Sequence, residues 1–212
     1  HDLRSPMRFI HAFAQLLAES ARGRLTAEDK KNIAFITEGV SQLERLVADL
    51  LRYTRMERRA PRRAMVDMER LMPRVNLRVA NRRGRPPAPL AVLAEGKVYA
   101  DPDFAEIALE ELFDNAYKFA SPDRPLAIEA GTGGDGRTLF VRDNGIGIDS
   151  DRSEEIFQLF RRLSTFGDSE GAGVGLALVR RIAEVHGGRA WVESREGAGT
   201  AIYIDFGADS DG

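Results

Sequence analysis

Cysteine is absent from all 212 residues, which removes disulfide staples, thiolate nucleophiles and thiolate-bound metals at once. No apolar run approaches the roughly 20 residues that span a bilayer, and no stretch reads as a secretory leader. These absences suit a reducing compartment, so a cytoplasmic location is expected. Net charge is nearly absent too, at −2. With 43% hydrophobic and 30% charged residues, the chain has the composition of ordinary globular protein, enough for one large domain or two small ones.

The small net charge conceals an uneven spread. Twelve arginines and three acids fall between Arg52 and Arg85, a local balance of +9 against −11 for the remainder. A surface for nucleic acid is one reading of such a run. It needs aromatic residues interleaved as stacking platforms, and none follows Tyr53 there. A solvated linker and helix face that meets acidic surfaces of the same protein is the expectation instead, with no nucleic-acid partner.

Leu3, Met7, Ile10, Ala14 and Leu17 recur at spacings of four and three, one stripe of a helix, which Phe9, Phe13 and Leu16 widen. His1 falls opposite that stripe with Ser5, Arg8, Ala12, Gln15 and Glu19, and is expected to face solvent. Gly23 ends this helix, and "TAED" opens another, Thr26 and Asp29 forming a capping box. Ile33, Ile36, Val40, Leu43, Val47 and Leu50 then alternate three and four, a heptad seam. Two helices with such broad apolar faces cannot bury them alone, and a homodimer forming a four-helix bundle solves the problem.

A helical hairpin over 1–57 is therefore expected, with a hinge over 58–66 around Pro61 and a second domain over 67–212. There a helix over 67–81, strands at "PLAVLAE" and "KVYA", and a helix from Asp101 to Phe119 come first. A hairpin of "PLAIEAG" and "TLFVRDN" follows, then short helix 153–160, a glycine-rich loop, helix 175–186 and a closing hairpin across "REGAG". Helices with mostly antiparallel strands predict a two-layer α/β sandwich.

Four clusters in this half carry chemistry. In "EELFDNAYKF", Glu111, Asn115 and Lys118 share a helix face, giving oxygen donors that suit Mg²⁺ and a point charge that suits phosphate. An amphipathic surface helix with an Asp114–Lys118 pair is the plainer alternative. In "DNGIGID", two glycines after a strand let backbone approach a ligand, and Asp143 can accept from an exocyclic amine. In "IFQLFRRL", Phe157 and Phe160 are expected to pack the flank of the sheet, with Arg161 and Arg162 solvated or reaching a phosphate. In "GAGVGLAL", glycines open a helix, where free N–H groups favour an anion. No Lys-Ser/Thr follows them, as a P-loop requires, and no strand precedes them, as a Rossmann fingerprint requires.

In order and spacing these stretches resemble the sensor histidine kinases across essentially the whole chain. "HDLRSP" resembles the phospho-acceptor box and "DNAYKF" the asparagine box of the Bergerat ATP-binding fold shared with gyrase and the Hsp90 chaperones. "DNGIGI", "IFQLF" and "GAGVGLAL" resemble the boxes that follow it. "FAQLLAES" and "LERLVADLLRYTR" resemble kinases coupled to bacteriophytochromes and PAS domains.

The resemblance implies an ATP-dependent autophosphorylation of His1, with Asp2 as the general base that holds or deprotonates its other ring nitrogen, and transfer to an aspartate of a response regulator receiver domain. It implies a site for ATP and Mg²⁺ built from Glu111, Asn115, Lys118, Phe119, Asp143, Gly145, Gly147, Ile148, Phe160, Arg161, Arg162, Gly171, Gly173, Val174, Gly175 and Leu176. Asn115 and Glu111 are its metal ligands, and 164–170 its lid. Glu111 departs from the commoner Asn or His, and in gyrase-like ATPases an acid there activates water. Ser5 departs from the commoner Thr or Asn; its hydroxyl can still orient a water, leaving phosphatase activity open. Since such kinases receive their signal from upstream sensor domains, a chain opening on His1 is expected to be part of a longer receptor. A non-catalytic nucleotide-binding dimeric scaffold and a freestanding ATPase relying on Glu111 are the alternatives.

Overall fold

A computed structural model describes residues 4–57, 59–93, 96–161 and 173–208, and the chain divides into two compact units between Thr54 and Arg55. In the first, α1 (Arg4–Ser20) is joined by a turn containing Gly23, at φ 88°, to α2 (Ala27–Glu57). The capping box forms as spelled: Thr26 N–H donates to Asp29 Oδ2 at 2.9 Å and Asp29 N–H to Thr26 Oγ1 at 3.1 Å. The Thr26 hydroxyl and backbone hydrogen bonds hold the Asp29 carboxyl below its ordinary pKa. Met7, Ala14 and Val40 are buried, but Phe9, Phe13, Leu16, Leu17, Phe35 and Leu43 stay more than half exposed. That is more apolar surface than a monomer ordinarily leaves to water.

The second unit has two layers. Its five-stranded sheet runs β2 (Leu90–Leu93), β4 (Ile128–Thr132), β5 (Thr138–Asp143), β7 (Gly199–Asp205), β6 (Arg189–Arg195). All neighbours are antiparallel except β2 and β4, which run parallel. One face, with Ile128, Ala130, Leu139, Val141, Ile202 and Ile204 buried, is covered by α3 (Met68–Arg82), α4 (Pro102–Lys118) and α5 (Gly175–Val185). The sandwich expected from alternating helices and strands is therefore present. β1 (Ala64–Asp67) pairs antiparallel with β3 (Lys97–Ala100) as a separate two-stranded sheet. The expected hinge over 58–66 is thus overrun, because its last residues are already a strand. Short 3-10 turns at Ser150–Arg152 and Glu155–Phe157 stand where a helix over 153–160 was expected.

The arginine surplus is spent inside this unit. Arg74, Arg78 and Arg82 recur every four residues along α3, and Glu106, Glu110 and Asp114 do the same along α4. They interlock: Arg74–Glu106 at 3.0 Å, Arg78–Glu106 and Arg78–Glu110 at 2.6 Å, Arg82–Asp114 at 3.2 Å. Arg83 adds a two-pronged contact to Asp114 at 2.8 and 2.5 Å. Burial pushes the Asp114 carboxyl up, but Arg83 and Arg82 outweigh it and hold its pKa below the ordinary range. Asp114 is therefore committed to α3, not to Lys118. Among the described residues, no helix is long and apolar enough to cross a membrane.

Candidate functional site

The site begins at α4. Asp101 caps it, accepting from Asp103 N–H at 3.0 Å and Phe104 N–H at 3.2 Å, and Pro102 occupies the first turn, where its missing N–H costs nothing. Leu109, Leu112, Phe113 and Ala116 are buried in the core. Glu111, Asn115 and Lys118 are half-buried, one turn apart along another face. Lys118 Nζ lies 4.6 Å from the centre of the Phe119 ring.

The "DNGIG" turn is stitched to the end of this helix. Phe119 N–H donates to Asn115 O at 2.9 Å, and Phe119 O accepts from Ile146 N–H at 3.0 Å. Ile146 O accepts in turn from Gly197 N–H, in the β6–β7 turn, at 2.7 Å. Ile148, half-buried, donates its N–H to Ser194 Oγ at 2.8 Å. Gly147 sits at φ 73°, and a Cβ there would run into the Arg195 carbonyl, so this crossing of two turns requires glycine. A Cβ on Gly145 would collide with the Phe119 carbonyl and stand 2.7 Å from Asp143 Oδ1.

Asp143 ends β5 at the floor of this turn, opposite Thr200 of β7. Burial pushes its carboxyl up to about 6, against the pull of hydrogen bonds from the Gly145 and Thr200 backbone and the charge of Arg124. A half-buried carboxylate, whose oxygens carry more lone pairs than these two donors use, is suited to accept from an N–H donor of a ligand.

On the other side, Gly173 O accepts from Phe160 N–H at 2.9 Å, which brings these two residues together. Phe160 is 53% exposed and at φ 62°, so it does not pack the flank of the sheet; Phe157, 4% exposed, does. The cause is local: Gln158 is extended, with ψ 138°, which ends the helical turn before Phe160. Arg161 pairs with Glu155 at 3.1 Å. Val174 is buried beneath the start of α5, Leu176 is half-buried, and no side chain caps this helix. A Cβ on Gly175 would stand 2.6 Å from Glu111 Oε2, so the Glu111 carboxylate lies against the first turn of α5, the end that favours anions.

That placement tests the expected metal. A carboxylate and an incoming phosphate repel at one helix end unless a cation stands between them. Glu111 and Asn115 supply the hard oxygen donors that Mg²⁺ takes, and the ion keeps its remaining positions for phosphate and water. Among the described residues, no cluster of three or more His, Cys, Asp or Glu side chains is placed to hold a metal unaided. The residues fit an ion that arrives with a phosphorylated ligand.

His1, Asp2, Arg162, Gly171 and the loop 164–170 lie outside the described residues, as does the side chain of Ser5. Sequence reasoning missed Arg124, whose guanidinium binds the carbonyls of Asn144, Gly145 and Gly197. No local signal marks it, since all three partners are remote in the chain or reached only by folding.

Comparison with known proteins adds to this geometry. The family described as histidine kinase-, DNA gyrase B-, and HSP90-like ATPase matches residues 100–209, and the His Kinase A (phospho-acceptor) domain matches residues 1–59. The methanogenesis regulatory histidine kinase FilI of Methanothrix harundinacea is 40% identical over 209 residues, covering 96% of this chain and 23% of FilI. Cyanobacterial phytochrome A of a Nostoc species is 33% identical over 205 residues, covering 96% of this chain and 27% of the phytochrome. The chain thus spans about a quarter of the length of these curated relatives. Among solved structures, full-length ShkA in complex with AMPPNP aligns over 96% of this chain and 43% of its own, at a TM-score of 0.66 and 27% identity. The Acinetobacter baumannii histidine kinase AdeS aligns over 98% of both chains at 0.63, and at 21% identity it speaks for the fold alone.

Proposed function

Since the chain belongs to the histidine kinase-, DNA gyrase B-, and HSP90-like ATPases, as the catalytic core of a sensor histidine kinase, we propose that it transfers the γ-phosphoryl group of ATP to His1. The phosphoryl group then passes to an aspartate of a response regulator receiver domain. The observation that carries this reading is the turn after Asp143, joined through Phe119 to the α4 face bearing Glu111, Asn115 and Lys118.

Asp143 accepts from the adenine amine, while Gly145 and Gly147 let the two turns close on the ring. Lys118 meets phosphate as a point charge, and the uncapped start of α5 at Gly173–Gly175 presents N–H groups to it. Asn115 and Glu111 would hold Mg²⁺, which neutralises charge on the phosphates when bound. A neutral imidazole of His1 is the nucleophile, with Asp2 holding or removing the proton of its other nitrogen. Phosphoryl transfer demands chiefly positioning and charge neutralisation, which this residue set provides. The exposed apolar faces of α1 and α2 fit a homodimer joined as a four-helix bundle, acting in the cytoplasm downstream of a sensor domain.

The test is phosphorylation with γ-labelled ATP and Mg²⁺, comparing the wild type with His1→Gln. Acid-labile, base-stable label that vanishes in the variant supports the reading. Label that persists in the variant, or steady phosphate release independent of His1, refutes it.

A further inference from the structure

Three backbone carbonyls from two separate turns converge on one guanidinium. Arg124 Nε donates to Asn144 O at 2.6 Å; its Nη2 donates to Gly145 O and to Gly197 O, both at 2.7 Å. Asn144 and Gly145 follow Asp143 directly, and Gly197 belongs to the β6–β7 turn. The side chain lies on the surface, where a single ion pair contributes little. Here, though, a rigid fork of donors meets three fixed acceptors, and charge-assisted bonds of this kind are the stronger sort.

One of these contacts reaches further than its length suggests. Asn144 C=O and Gly145 N–H belong to the same planar, trans peptide, so they point in opposite directions. The carbonyl is held by Arg124, and the N–H donates to Asp143 Oδ1 at 2.8 Å. Rotation of that peptide would break both bonds together. The Asn144 side chain braces the same turn, accepting from Ala127 N–H at 2.9 Å and donating to Pro125 O at 3.0 Å.

We propose that Arg124 is a positioning residue of the nucleotide site: it locks the 144–145 peptide so that the peptide N–H aims the Asp143 carboxylate at the adenine amine, and it ties the β6–β7 turn to the same loop. The proposal rests on the reading of Asp143 as the group that meets adenine. Three groups face Asp143: the Gly145 amide from the turn, Thr200 from β7 and the Arg124 charge from the segment before β4. Burial raises the carboxyl to about 6 and Arg124 opposes the rise, so Arg124 acts on both the aim and the ionisation of Asp143.

The experiment is calorimetric titration of the 212-residue chain with ATP between pH 5 and 8 for the wild type, Arg124→Ala, Arg124→Lys and Asp143→Ala. The ionised Asp143 carboxylate accepts from the amine more strongly than the protonated acid, so wild-type affinity falls from pH 7 to pH 5, by up to about tenfold. Arg124→Ala binds ATP about tenfold more weakly at pH 7, and the midpoint of its pH profile moves upward. Arg124→Lys keeps the charge but cannot span three carbonyls; its midpoint stays near the wild type while its affinity at pH 7 remains low. A purely structural role lowers the melting temperature of these variants and leaves the midpoint unmoved, which overturns the proposal. Full rescue of affinity by lysine overturns it as well. If Asp143→Ala binds ATP as well as the wild type, the reading of Asp143 falls; if it loses ATP while Arg124→Ala does not, the proposal alone falls.

Discussion

Asp101→Ala should destabilise the ATP-binding unit by about 2–3 kcal/mol, although the residue lies outside the nucleotide site. Its side chain is 1% exposed and accepts four hydrogen bonds: Asp103 N–H and Phe104 N–H at the start of α4, Arg62 N–H at 2.7 Å, and Arg59 Nη2 at 2.9 Å. Removing an N-cap acid costs about 1 kcal/mol. The two linker donors belong to exposed or half-exposed residues that can turn to water, so each adds about 0.5–1 kcal/mol and not the full burial penalty. Asp101→Ser keeps the cap and loses only the linker contacts, and should cost about 1–2 kcal/mol. The assay is urea unfolding followed by the fluorescence of Trp191, the one tryptophan, which sits on β6 of this unit. For a unit of this size the alanine variant should melt roughly 4–12 °C lower. A loss under about 0.5 kcal/mol, or a serine variant as damaged as the alanine one, would refute the division of Asp101 between cap and linker.

Gly147→Ala forces a Cβ at φ 73° into the Arg195 carbonyl, and should lower ATP affinity at least about tenfold in calorimetry, since left-handed strain alone costs about 1–2 kcal/mol; unchanged affinity would refute the crossing of the two turns. Phe13→Asp combined with Leu43→Asp, at positions 67% and 51% exposed, should convert a dimer to a 23.5 kDa monomer in sedimentation equilibrium. A variant that still sediments as a dimer would place the interface elsewhere.

Local patterns carried much of this fold. The capping box at Thr26, the cap at Asp101 and the helical period of α2 each depend on residues within a turn or two of each other, and all appear where the spacing puts them. The arginine run lacks the aromatics of a nucleic-acid platform, which points to acidic surfaces of the same protein, and α4 supplies one. Pairings between distant segments were not readable. "AMVD" has one buried residue, Val66, and sits against a run of charge, so nothing local separates it from a hinge; its partner Lys97–Ala100 supplies the strand. Phe157 and Phe160 share a face only if the helical period continues, and the extended Gln158 breaks it. Arg124 is an arginine in a loop until the fold brings three carbonyls to it.

α4 has every side committed. Its core side packs, its outer acids bind α3, its last turns carry Glu111, Asn115 and Lys118, and its cap holds the linker through Asp101. The linker contact has a second strand at the end of α5, where Arg63 donates to the backbone carbonyl of His186 and to Ala208 O at 3.3 Å. His186 itself is buried, its Nε2 accepting from Asp101 N–H at 3.1 Å between the edges of Phe104 and Phe206. Burial holds its pKa below the ordinary value, so it stays neutral and keeps that acceptor. A pull on the linker therefore meets two resistances. Moving α4 breaks its ion pairs with α3 and opens a core containing Leu109, Leu112 and Phe113, where a single large cavity costs about 3–5 kcal/mol. Releasing residues 59–63 breaks bonds whose donors can turn to water, to Asp101, Asp103, the His186 carbonyl and Ala208 O, each worth about 0.5–1 kcal/mol, and opens no cavity in that core. The linker lets go first, and the nucleotide-binding end of α4 keeps its geometry when it does.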